Sequence, residues 1–181
     1  MERCYRQAEA GRWQVICLDE FGPLEVRPHP GVDWAPKTQV RRLPATYKRP
    51  HKTRYLLAAY DVRRDDLWGI FRRRQTWTEF LELLKALRRK YPCNERLHLV
   101  LDNRKSHDRP AVLDFVKQNN MRLVFLPTYS SWMNRIECHF TALRKFALSG
   151  RYFHNHHEQN AAIRAYLNYR RKSRQPFEKR H

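Results

Sequence analysis

The sequence predicts an α/β protein, a mixed β-sheet with helices packed on it, and three observations carry that prediction. Short, near-continuous apolar runs (VICL, LHLVL, RLVFL) have the length and composition of strands buried on both faces. The later runs are separated by segments of helical period, which implies right-handed parallel crossovers, while two earlier runs are joined by a polar turn alone. Acids close two of the runs, Asp19 after VICL and Asp102 after LHLVL, where open α/β sheets place their sites.

Residues 13–20 (WQVICLDE) read as the first strand. Its side chains alternate, so Glu20 points opposite to Asp19 and only one of the two is expected to face a shared site. Gly22 and Pro23 then turn the chain, and LEVRP is expected to return as a second strand. Residues 29–53 are rich in proline and basic residues and lack periodicity, which marks an extended insertion or arm facing phosphates. Residues 54–60 and 67–71 form an antiparallel hairpin, whose turn acids Asp61, Asp65 and Asp66 are expected to be solvated. From Trp77 the period changes. Trp77, Phe80, Leu81, Leu84, Leu87 and Tyr91 follow helical spacing, Thr76 and Glu79 make a capping box, and Pro92 ends the helix. A strand at 98–102, a helix from Pro110 to Asn119, and a strand at 122–126 follow. A helix over 132–148, capped by Ser130 or Ser131, carries Ile136, Phe140, Leu143 and Ala147 on one face, and Gly150 stops it. The last helix spans 159–169, and from Arg170 onward a basic tail is expected to be disordered.

Length and charge narrow the function. The 181 residues suit one domain, and 41% apolar residues supply its core. Against 18 Asp and Glu stand 37 Lys and Arg, a formal charge of +19 that points to a polyanionic partner. Nucleic acid is favoured over a membrane surface, because no apolar run approaches the roughly 18–20 residues of a spanning helix and no signal peptide opens the chain. Cys4, Cys17, Cys93 and Cys138 are widely spaced without a C-x-x-C pair, as in a reduced, cytoplasmic, nucleoid-associated protein, with Cys17 and Cys138 in core elements.

Asp19, Asp102 and Glu137 are the candidate catalytic acids and metal ligands. A charge at the end of an apolar strand is costly unless it is paired or holds a cation. Three hard carboxylates suit Mg²⁺, with Mn²⁺ as a substitute. Two ions about 3.5–4 Å apart can hold the attacking and leaving oxygens of a phosphodiester in line. Asp19, on the central strand, is assigned the bridge between them.

The block VLDN at 100–103 with His107 beyond it, followed by LPTYSSWMNRIECHF at 126–140, resembles the catalytic core of DDE transposases of the mariner superfamily, bacterial insertion-sequence type. The 34 residues between Asp102 and Glu137 agree with the interval typical of that superfamily, and the segment around Trp34, Ala35 and Pro36 is similar too. The resemblance implies a ribonuclease-H-like domain over 13–170, with a short extension at 1–12, the arm at 29–53 inside it and a basic tail at 171–181. It implies metal-dependent cleavage at the ends of a DNA element and attack of the freed 3′-hydroxyl on target DNA, commonly at TA. Its partners would be double-stranded DNA, as element ends and target, and a second copy of the chain on that DNA. Family members carry an N-terminal helix-turn-helix region, and 18 residues precede Asp19 here. A separate helix-turn-helix partner or upstream frame is therefore expected. The alternative is a truncated, non-autonomous remnant that binds DNA without catalysis.

The remaining candidates carry two readings each. His107 orients Asp102 or meets a phosphate, or is a loop histidine bonded to backbone. Asn103 supports the site or forms a turn. Asn134 and Trp132 pack and cap the last core helix, with a supporting role for Asn134 in the site as the second reading. Trp34, Arg41, Arg42, Lys48, Arg49, Lys52 and Arg54 are expected to form a basic arm for tracking DNA, with solvated loop charge as the second reading, and Arg144 and Lys145 share the helix of Glu137 and are expected to flank the scissile phosphate. The histidines at 154, 156 and 157 lack the partners of a zinc site.

Overall fold

The computed structural model describes residues 1–31, 36–39, 42–44 and 52–176. In chain order the elements are α1 (Glu2–Glu9), β1 (Gln14–Leu24), β2 (Arg54–Asp61), β3 (Asp66–Arg72), α2 (Trp77–Arg88), β4 (Leu97–Leu101), α3 (Pro110–Gln118) and β5 (Met121–Phe125). After a 3₁₀ turn (Ser131–Met133) come α4 (Glu137–Leu143), which widens into a π-helical turn (Arg144–Leu148), and α5 (His156–Lys172). The strands form one sheet in the order β3-β2-β1-β4-β5. The first three make an antiparallel meander, while β4 pairs parallel with both β1 and β5.

Alternation along β1 builds both halves of the core. Val15, Cys17 and Phe21 face α1, α4 and α5, where Tyr5, Ala8, Phe140, Leu143, Ile163 and Leu167 are buried against them. Ile16 and Leu18 face α2 and α3, packed with Phe80, Leu84, Leu87, Val112 and Val116. Each large apolar side chain buried this way contributes roughly 1.5–3 kcal/mol, so the strand with partners on both faces becomes the centre of the sheet. The capping box at Thr76 and Glu79 starts α2 as expected, and Gly150, at φ 68°, stands just past the last helical turn of 144–148.

Several expectations change. LEVRP does not return as a strand. β1 runs on through Leu24, with its register to β2 shifted between Phe21 and Leu24, because Pro23 has no N–H to donate and interrupts the ladder without reversing the chain. The helix expected over 132–148 begins only at Glu137, since the tight turn at Ser131–Met133 precedes it. The extension at the N-terminus is a helix whose Cys4, Tyr5 and Ala8 are buried. The turn acids are buried too. Asp61 accepts from Tyr91 Oη at 2.7 Å, Asp65 from Arg170 Nη2 at 2.6 Å, and Asp66 from Arg171 Nε at 3.1 Å. The last two pairs hold α5, which runs through Lys172, three residues past the expected end, so Arg170 and Arg171 are not tail. Cys17 is in the core, but Cys138 is exposed because it follows Glu137 on the open side of α4. No helix among the described residues is long and apolar enough to cross a membrane.

Candidate active site

Parallel pairing sets Cys17 opposite Val100, and two residues further along the same register Asp19 stands alongside Asp102, just past the end of β4. Glu137 is the first residue of α4, brought over the strand ends by the turn that precedes it. All three acids line one cleft of about 320 Å³, together with Glu20, Arg104, Ser131, Thr141 and Arg144.

The acids differ in their surroundings. Asp19 is largely buried and accepts one hydrogen bond, from the Glu20 N–H at 2.7 Å. Burial, followed by the charges of Glu20, Glu137 and Asp102, outweighs that bond and pushes its carboxyl up to about 7. Asp102 is half-exposed and compensated. Its Oδ2 lies 3.1 Å from Arg104 Nε and its Oδ1 lies 3.2 Å from His107 Nδ1. Burial alone would raise its pKa, but the His107 hydrogen bond and the charges of His107 and Arg104 hold it below the usual carboxylate value.

His107 is itself buried, with its ring 4.2 Å from that of Phe80. Its Nε2 lies 3.6 Å from Glu20 Oε1, and Arg104 Nη1 lies 2.9 Å from Glu20 Oε2. Burial disfavours the charged ring, yet the bonds to Asp102 and Glu20 prevail and raise its pKa to about 9. The ring thus lies between Asp102, which Nδ1 meets at both a carboxylate and the backbone oxygen at 3.2 Å, and the Glu20 carboxylate. Glu20 was not among the residues the sequence singled out. It does point to the opposite face from Asp19, but the cleft opens at the strand end and borders both faces of the sheet. An acid directly after the first aspartate of an apolar strand was the available signal.

The supporting asparagines hold backbone. Asn103 Nδ2 donates to Leu126 O at 2.6 Å, and the buried Asn134 donates to Leu18 O at 3.0 Å, tying the segment before Glu137 to β1 beside Asp19. Arg144 is exposed in the cleft, its guanidinium 5.4 Å from the Phe21 ring centre, while Lys145 lines the adjoining cavity of about 560 Å³ with Arg27 and His29. Arg42 and Lys52 are exposed and Arg54 lies on β2, and none of the three lines the cleft. Trp34, Arg41, Lys48 and Arg49 lie outside the described residues. Trp132, expected to pack, is 75% exposed. Among the described residues, no group of three or more His, Cys, Asp or Glu side chains is arranged to hold a metal ion as it stands, the histidines near 154–157 included.

A mixed sheet in this strand order, with acids on adjacent strand ends and on the following helix, defines a ribonuclease-H-like fold with a nuclease-type cleft. Residues 14–159 match the family model of the DDE superfamily endonucleases, and the chain belongs to that family. Among solved structures it is similar to the Mos1 mariner paired-end complex with Mn, at TM-score 0.67 and 18% identity over 98% of this chain and 54% of that one. It is also similar to the Mos1 strand transfer complex, at TM-score 0.65 and 19% identity over 93% of this chain and 53% of that one. For the Mos1 mariner transposase catalytic domain the values are TM-score 0.59 and 17% identity over 99% and 81%. The chain thus spans about half the length of the first two. Comparison with curated proteins gives no match.

Proposed function

We propose that this chain is the catalytic domain of a DNA transposase, which cleaves DNA at the ends of a mobile element and joins the freed 3′-hydroxyl to target DNA. One observation carries the reading: three acids far apart in the sequence open onto a single cleft, with Asp19 pushed up to about 7 where a nearby cation would favour its charged form. Membership of the DDE endonucleases supports it.

The all-oxygen donor set fits Mg²⁺ or Mn²⁺, and the Mos1 structures obtained with Mn and with Mg support that choice. Asp19, Asp102 and Glu137 would hold two such ions, which when bound supply charge neutralisation at the phosphate and activation of the attacking hydroxyl. The chain's own groups do the rest. His107 and Arg104 fix the orientation of Asp102, Asn134 fixes the approach of the Glu137 segment to β1, and Arg144 places a positive charge beside the phosphate. A second copy of the chain on paired DNA ends completes the assembly. The paired-end and strand-transfer complexes among the similar structures support that part.

The test is nicking of supercoiled plasmid in Mn²⁺. Asp19→Asn, Asp102→Asn and Glu137→Gln are each expected to abolish nicking while DNA affinity persists. Retained nicking in any of them sinks the assignment of that acid. A wild type that binds DNA but never nicks it is the non-catalytic remnant instead.

A further inference from the structure

We infer that Tyr129 and Trp132 form a stacking platform for an unpaired nucleobase at the mouth of the catalytic cleft, an inference that rests on the DNA-cleaving role proposed above. Tyr129 is 93% exposed and Trp132 75% exposed. Neither side chain hydrogen-bonds or stacks on another ring among the described residues. Large apolar rings left bare beside a polar cleft mark a binding surface, and the backbone that carries these two is held in place. Tyr129 sits at φ 59°, a left-handed conformation that side chains other than glycine rarely adopt and that the surrounding loop must enforce.

The loop is pinned at both ends. Leu126 N–H donates to Leu101 O at 2.9 Å and Leu126 O accepts from Asn103, which fixes its start to β4. Met133 N–H donates to Ser130 O at 3.0 Å and Met133 O accepts from Tyr5 Oη at 2.8 Å, which fixes its end to α1.

Position identifies the ligand. Tyr129 and Trp132 line a groove of about 440 Å³ whose far wall includes Asp102 and Asn103. Trp132 also borders a second groove of about 440 Å³ with Glu137, Arg135 and Arg170. The indole therefore stands between two grooves, each reaching one of the acids. A protein partner seated here would cover the acids from the side a substrate strand must use. Bases inside a duplex present no free ring face, so a platform of this kind is suited to a nucleotide that has left its stack. An aromatic platform replaces the lost stacking irrespective of base identity.

The experiment compares binding, by fluorescence anisotropy in metal-free buffer, to a blunt duplex and to the same duplex carrying a short thymine flap. Trp132→Ala and Tyr129→Ala are each expected to weaken flap binding about tenfold and to change blunt-duplex binding by less than about twofold, with Trp132→Phe restoring the flap preference. With 2-aminopurine in the flap, wild type quenches its emission and Trp132→Ala does not. Equal losses on both DNAs, or no loss on either, overturn the platform and leave the rings as a general duplex contact or a protein-docking surface. If wild type binds neither DNA, the transposase reading falls together with the platform. A wild type that binds both DNAs without flap preference or quenching removes the platform alone.

Discussion

Asp19 is the acid on which the metal-free and metal-loaded proteins should differ most. Its carboxyl is raised from 3.8 to about 7 by burial first and by neighbouring acids after that. A raised folded-state pKa gives stability that is complete below the unfolded value and is lost as pH rises through the folded one. In chelator, the melting-temperature advantage of Asp19→Asn over wild type should therefore grow between 3.8 and about 7, each kcal/mol read as roughly 2–4 °C. Mn²⁺ should narrow or reverse the gap, since only wild type gains the full binding free energy. A variant less stable than wild type in chelator at pH 8 would mean that Asp19 is not a buried, uncompensated charge. Its neighbours act through Asp102. His107→Ala should raise the Mn²⁺ needed for half-maximal nicking about 10–100-fold, the usual cost of losing a group that orients a ligand. Glu20→Gln should move it the same way by less, because Glu20 reaches Asp102 only through His107 and Arg104. An unchanged metal requirement in both would reduce the cluster to packing.

The β2–β3 turn and α5 are joined by charge at the scale of whole elements. Asp65 and Arg170 pair at 2.6 Å with side chains only 12% and 16% exposed, and Arg170 Nη1 also donates to Asp65 O at 2.9 Å. Burial would raise the Asp65 pKa, but the Gln175 N–H and Arg170 hold it below its ordinary value, so its contribution is present above 3.8 and is lost as pH falls through the depressed value. Arg170→Met should cost about 3–5 kcal/mol by leaving a buried carboxylate unpaired, measured by urea denaturation at pH 7. A loss near zero would mean that water reaches Asp65. That latch also shows what a sequence conceals. Apolar strands, the capping box at Thr76 and the three acids were legible because each is a local pattern, and the sheet order brought Asp19 and Asp102 together as expected. Asp65 and Asp66 looked solvated because the arginines that hold them are more than a hundred residues away on α5, and Asp61 because Tyr91 reaches it from beyond α2. Trp132 looked like a core residue because it precedes a helical stripe, and only the turn at Ser131–Met133 directs it outward. Glu20 was set aside by strand alternation, a rule that holds within a sheet and fails to exclude at its open end.

The whole molecule is a +19 body with an acid-lined cleft, and the two features pull on DNA in different ways. Positive charge spread over the surface attracts phosphate regardless of sequence, while the cleft repels it until cations are bound. Each phosphate neutralised releases counterions, so the logarithm of duplex affinity should fall linearly with the logarithm of salt concentration, with a slope of about 0.9 per phosphate contacted. Several such contacts would weaken binding by orders of magnitude between about 50 and 200 mM salt. Arg144, exposed in the cleft and beside the phosphate's expected place, should reduce the slope by about 1 when changed to Ala. Mn²⁺ should strengthen binding by wild type and have little effect on Asp102→Asn, because the repulsion it relieves arises at the acids. Trp132→Ala, which removes no charge, should lower affinity for flapped DNA and leave the slope as it was. A shallow slope in wild type would show that the excess charge is directed at something other than DNA, and an unchanged slope in Arg144→Ala would place the phosphate path away from the cleft.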